Sequence, residues 1–195
     1  LSLLGKVIPP HTQIPTLSSI LVETTREGLT FSVTDLEFGA KVTIPAKTEG
    51  EGGVLVPGRQ FIEILSSLTH EKAQISQEKE QTVIVSNTGI FKLQSIPKEE
   101  FPKLYEEKGE KKVNLDGKTF DDIFGKLLFA VSTDEGRPHL TGVYMVKTEK
   151  GADFVATDGY RMSLKQMPQE NLLGGLKQGI ILSQRLVQEA LSLKT

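Results

Sequence analysis

Cysteine is absent from all 195 residues, which excludes disulfides, thiolate-bound zinc and thiol nucleophiles together. The redox compartment stays open, because there is nothing to oxidise. Histidine is scarce: His11, His70 and His139 are scattered without metal-ligand spacing and read as surface or packing residues. No run approaches the roughly 18 apolar residues of a membrane span, and no secretory leader pattern is present, so a cytoplasmic protein is expected. A strongly basic half is missing too. Leu1–Glu107 carries 10 Lys/Arg against 14 Asp/Glu and Lys108–Thr195 carries 13 against 11, so neither is a nucleic-acid patch by composition. The glycine-rich stretch EGEGG, Glu49 to Gly53, lacks the Lys-Ser/Thr of a phosphate loop and reads as a hairpin connection.

What is present is an ordinary globular composition, 37% hydrophobic and 25% charged, long enough to bury a core in one or two domains. The chain also repeats itself. FVATDGYRMSL, Phe154 to Leu164, echoes FSVTDLEFGAK, Phe31 to Lys41, at an offset of 123 set by Thr34 and Thr157. Upstream the offset places Pro15 on Pro138, Leu17 on Leu140 and Phe31 on Phe154. Downstream, after a small insertion, VPGRQFIEILSSL falls on LSQRLVQEALSLK, pairing Arg59 with Arg185 and Glu63 with Glu189. Landmarks in one order at one spacing mark an internal duplication.

Phe120, Ile123, Phe124, Leu127 and Leu128 recur at helical spacing, as do Phe61, Ile64, Leu65 and Leu68, so each set predicts a helix with one buried stripe. Between them SILVET, LTFSVT, GAKVTI, TVIVS and IFKLQS are short, β-branched or aromatic, and bounded by turn residues, as strands are. The expected fold is α+β, a repeated unit of antiparallel strands with two helices each. The expected domains are 1–107 and 108–195. KLYEEKGEKK, Lys103 to Lys112, is charged and aperiodic and reads as a solvated linker rather than a nucleic-acid tail. The repeat also predicts that the first domain lacks about a dozen leading residues and the second any counterpart of AQISQEKEQTVIVSNTGIFKLQSIP.

Asp35 and Asp158 raise a second reading, because carboxylates can bind magnesium or do acid–base work, as in a metal-dependent nuclease or phosphohydrolase. Against it, each Asp closes a strand at an equivalent position of a different domain, where Asp caps a turn through its own backbone. A third reading is a pure protein-interaction module that shares the fold but never encircles DNA.

IPTLSSILVE, LTFSVTDLEFGAKV, VPGRQFIEIL, SIPKEEFPKL, FAVSTDEGRPHLTGV and VATDGYRMSLKQMP together resemble signature segments of bacterial DNA polymerase III β subunits, the sliding clamps. The resemblance implies a clamp fold of three similar domains per subunit, the third lying outside this chain. It implies a head-to-tail homodimeric ring on double-stranded DNA, with no catalysis, no cofactor and no metal. It implies a pocket for short motifs of the polymerase III α subunit, the clamp-loader δ subunit and other partners, lined by Leu140, Thr157, Gly159, Tyr160, Arg161 and Met162. Tyr160 stands where the family usually has histidine, and Met162 where it often has leucine. His11, Lys126 and Arg185 would face DNA. Phe91 and Leu93 would lie at the dimer contact.

Overall fold

The computed structural model describes residues 2–68, 72–103, 115–168, 173, 176 and 178–193. Two compact units result, Leu1–Glu106 and Glu107–Thr195. Nearly all of the charged stretch read as a linker, and His70, lie outside the described residues.

The first unit runs α1 (Ser2–Val7), a 3-10 turn at Pro15–Ser18, β1 (Ser19–Thr25), β2 (Gly28–Thr34), β3 (Gly39–Ile44), β4 (Gly53–Pro57) and α2 (Gly58–Ser67). β5 (Gln74–Glu78), β6 (Gln81–Val85), β7 (Ile90–Gln94) and the short β8 (Ile96–Pro97) follow. Its sheets have the orders β3-β2-β1-β4-β8 and β5-β6-β7. Strand alternation sends Ile20, Val22, Phe31, Val33, Val54 and Val56 to one face, where α1 adds Leu4 and Val7 and α2 adds Phe61. The Phe31 and Phe61 rings lie 5.9 Å apart, tilted. The glycine-rich Glu49 to Gly53, expected to be a hairpin connection, instead ends a stretch, 45–52, that carries the chain past two strands, because β4 pairs with β1 and not with β3. Thr24 pins its far end, donating its N–H to the Gly52 carbonyl at 2.9 Å and accepting the Gly52 N–H on Oγ1 at 2.7 Å.

The second unit runs α3 (Gly117–Phe124), 3-10 turns at Leu128–Ala130 and Pro138–Leu140, β9 (Gly142–Thr148), β10 (Gly151–Thr157), β11 (Met162–Met167), β12 (Ile180–Ser183) and α4 (Gln184–Ser192). Its sheet order is β11-β10-β9-β12, the order of the first unit's β3-β2-β1-β4. Asp116 caps α3, accepting from the Thr119 N–H at 3.0 Å and the Thr119 hydroxyl at 2.7 Å. The expected helix through Leu128 stops at Phe124. Gly125 follows, and buried Leu127 reaches the core from a tighter turn that leaves Phe129 outside. Phe124 and Phe154 meet edge to face at 5.6 Å, at the centre of a core with Ile123, Val143, Met145, Ala156 and Val187.

The duplication holds to the residue at both ends of three strands. Ser19 and Gly142, Gly28 and Gly151, and Gly39 and Met162 open matching strands, each pair 123 apart. Gly28 and Gly151 share a backbone that side chains rarely adopt, with φ of 130° and 146°. At Gly28 the need is also steric, since a Cβ would lie 2.2 Å from the Ile44 carbonyl oxygen.

Candidate peptide-binding turn and charged faces

Both Thr-Asp turns are closed by one set of bonds. In the first, Asp35 Oδ1 accepts from the Glu37 and Phe38 N–H groups at 3.0 and 2.7 Å. Thr34 Oγ1 donates to the Phe38 carbonyl at 3.1 Å and accepts the Leu36 N–H at 3.0 Å. In the second, Asp158 Oδ1 accepts from the Tyr160 and Arg161 N–H groups at 2.9 and 3.0 Å. Thr157 Oγ1 donates to the Arg161 carbonyl at 2.8 Å and accepts the Gly159 N–H at 3.1 Å. This is the local chemistry that makes Thr and Asp turn formers.

The turns differ in what they present. The left-handed third position is Leu36 in one, at φ 79°, and Gly159 in the other, at φ 91°. A Cβ on Gly159 would stand 3.2 Å from Arg137 Nη1. Phe38 packs on its unit's core, whereas its counterpart Arg161 is exposed, held by Asp158 Oδ2 at 3.0 Å and lying 5.7 Å over the Phe129 ring. Tyr160 is 94% exposed and Met162 66%, so the second turn displays apolar surface. Tyr160 therefore makes little contact with the rest of the unit.

Leu140 stands in the 3-10 turn before β9, where Arg137 accepts its N–H on the carbonyl at 2.9 Å. Proline at 138 opens that turn, its fixed φ suiting a helical start. The pairing of Tyr144 with Val155 places the start of β9 beside the end of β10, so Leu140, Thr157 and Met162 share one end of the sheet. Phe129, 59% exposed, and Arg137 join this group without having been singled out in the sequence. Phe129 is out of phase with the buried stripe of α3, which was the available signal.

The acid–base reading of Asp35 and Asp158 meets these same bonds. Each carboxylate is engaged in closing its turn, and among the described residues no three His, Asp or Glu cluster as metal ligands. The Tyr160 and Arg161 N–H groups, then the Arg161 guanidinium, hold the Asp158 pKa below the ordinary carboxylate value. A depressed folded-state pKa means that the turn contributes fully above the ordinary value and loses that contribution as pH falls below it. Asp158→Ala is expected to lower the urea midpoint, and Asp158→Asn to lower it less because asparagine keeps an acceptor. Equal losses would show that charge, and not the acceptor, closes the turn.

The other expected residues are distributed over both units. His11 is exposed and shares a shallow concavity with Pro9, Pro10, Thr12, Ser18 and Arg59. Lys126, exposed just past α3, pairs with Asp122, and Arg185 is exposed in the first turn of α4. His139 is exposed in the Pro138–Leu140 turn. On β7, an edge strand of the described sheet, Phe91 is half-buried, but Leu93 is buried within its own unit's core. No helix among the described residues is long and apolar enough to cross a membrane.

Residues 1–105 match the family model for the DNA polymerase III beta subunit, N-terminal domain, and residues 114–195 match its central domain. A beta sliding clamp of Chlamydia muridarum is 33% identical over 158 residues, covering 80% of this chain and 43% of that protein. One of Staphylococcus epidermidis is 30% identical over 175 residues, covering 85% and 46%. The beta subunit structure from Streptococcus pyogenes superposes with a TM-score of 0.88 at 28% identity, covering 100% of this chain and 53% of that one. The Caulobacter crescentus sliding clamp gives 0.89 at 27%, covering 98% and 53%. The chain thus spans about half the length of the relatives it matches. With both domain models matched in order along a duplicated fold, the chain belongs to the bacterial DNA polymerase III beta subunit family, the sliding clamps.

Proposed function

We propose that this chain is the first and central part of a sliding clamp, a non-catalytic subunit that encircles double-stranded DNA in the bacterial cytoplasm and keeps the replicative polymerase on its template. The observation that carries the reading is the residue-for-residue duplication, matched in order by the family's first two domain models. A ring is made from copies of one curved unit, and a chain that repeats its unit supplies them. The full-length subunit then closes head to tail with a second copy, its β7 edge and Phe91 at the contact; Leu93, buried in its own core, shapes that edge from beneath.

Encirclement needs no sequence readout. Scattered, weak phosphate contacts from His11, Lys126 and Arg185 suit a surface where acidic neighbours accompany the basic ones. The second Thr-Asp turn receives the apolar motifs of the polymerase III α subunit, the clamp-loader δ subunit and other clamp-binding proteins, with Leu140 and Met162 as floor and Thr157, Gly159, Tyr160 and Arg161 around it. The first turn closes the same way but aims Phe38 into its own core and carries Gly39 where the second has Met162, so it serves as scaffold.

The test is topological. Full-length protein loaded on nicked circular DNA is expected to stay through a high-salt wash and to be lost when the circle is linearised. Equal retention on both forms would overturn the reading in favour of an interaction module, and magnesium-dependent cleavage of the circle would favour the phosphohydrolase.

A further inference from the structure

Where α3 meets β11, one carboxylate holds two ammonium groups. Asp122 Oδ1 is bound by Lys126 Nζ, four residues on, and Asp122 Oδ2 by Lys165 Nζ at 2.5 Å. Lys165 reaches this point because alternation along β11 sends Met162, Leu164 and Gln166 outward and Ser163, Lys165 and Met167 toward the helix side. Ser163 Oγ donates to the Lys126 carbonyl at 2.9 Å, so the backbone of Lys126 is tied to the same strand. The geometry is therefore fixed from both ends. The Lys126 main chain is anchored to β11, and its exposed ammonium pairs with Asp122.

We propose that Asp122 is an attenuator of the clamp's hold on DNA, keeping Lys126 and Lys165 on an internal carboxylate so that Lys126 contributes only a fraction of a phosphate contact. The inference rests on the DNA-encircling reading above. A lysine earns binding free energy from DNA by releasing the counterions condensed on a phosphate, with a slope of roughly 0.9 in log K against log salt for each phosphate neutralised. A lysine whose ammonium already has a fixed carboxylate partner must exchange that partner for the phosphate, and the carboxylate left behind repels the incoming strand. The three groups together carry one net positive charge, and exposed Asp121 lies next to Asp122 in the sequence. The Asp122 carboxyl is driven down to about 2, first by Lys126 and then by Lys165, so it is ionised under any binding condition. A ring that must slide gains from such an arrangement: topology retains the DNA, and a stronger local grip would slow translocation.

The experiment uses the full-length dimer and short linear duplex DNA over a salt series. Asp122→Asn is expected to tighten binding by about three- to tenfold at low salt and to steepen the salt slope by about one. Lys126→Gln in the Asp122→Asn background is expected to return most of that gain. Lys126→Gln alone is expected to lower the salt slope by less than about half of one phosphate contact, the partial contribution left to a lysine held by Asp122. A purely structural role for Asp122 would weaken binding or leave the slope unchanged. Unchanged or weakened binding by a folded Asp122→Asn variant would overturn the proposal. If that variant does not fold, Lys126→Gln alone decides, and a full one-contact loss of slope overturns it. Retention of the parent on nicked circles, measured in the same series, fails only if the encircling reading itself is wrong.

Discussion

Met162→Asp in the full-length subunit is expected to weaken binding of a peptide carrying a glutamine, a leucine and a second leucine or phenylalanine by at least tenfold. Met162 opens β11 opposite Thr157, at the sheet end that also holds Leu140 and the Arg161–Phe129 stack. Its thioether is flexible and polarizable, suited to a floor that accepts different apolar side chains. Seating one leucine there is worth about 1.5–3 kcal/mol of burial. An aspartate in its place must be desolvated by the incoming side chain, a cost of at least about 1.4 kcal/mol, or tenfold. The position is a clean probe because Met162 is exposed, and such surface replacements change stability by about 0.5 kcal/mol or less. Leu140→Asp is the less selective companion, since Leu140 is half-buried and its replacement also burdens the 3-10 turn. Isothermal titration with the peptide decides. Unchanged affinity in both variants would place the site elsewhere.

Phe154→Ala is expected to destabilise the second unit by about 3–5 kcal/mol, the range for emptying a large aromatic site in a packed core. Phe154 has no exposure, meets Phe124 edge to face at 5.6 Å, and sits on the central β10 between Met145 of β9 and Lys165 of β11. Neighbours on both sides are fixed by ladder hydrogen bonds, so the cavity cannot readily collapse. Denaturant unfolding followed by hydrogen exchange of the β9 and β10 amides measures the effect, and a loss below about 1 kcal/mol would show a site able to relax. Its repeat counterpart Phe31, also buried and in ring contact with Phe61, is expected to behave alike in the first unit.

Much of this architecture is legible in the chain because its causes are local. The strand alternation around Phe31 and Phe154 and the closing of both turns by Thr and Asp depend on residues within five positions of one another, and the duplication shows because each copy carries the same local pattern. A side chain that bonds its own backbone reports its conformation in the sequence itself. The helix α3 was legible as far as its stripe agreed with a helix, but Gly125 and the tighter turn after it could not be read from spacing that Leu127 and Leu128 satisfy equally well.

By itself the sequence determined which segments pair with which copy, where each Thr-Asp turn falls, and which family the chain resembles. Only the tertiary structure decided that β4 crosses to pair with β1, that Phe129 stacks under Arg161, and that Asp122 gathers Lys126 and Lys165. The physical reason is separation along the chain. Ser163 and Lys126 are 37 residues apart and Lys165 and Asp122 43 apart, so these bonds exist because packing brings the two segments together, and no periodicity or local propensity encodes them.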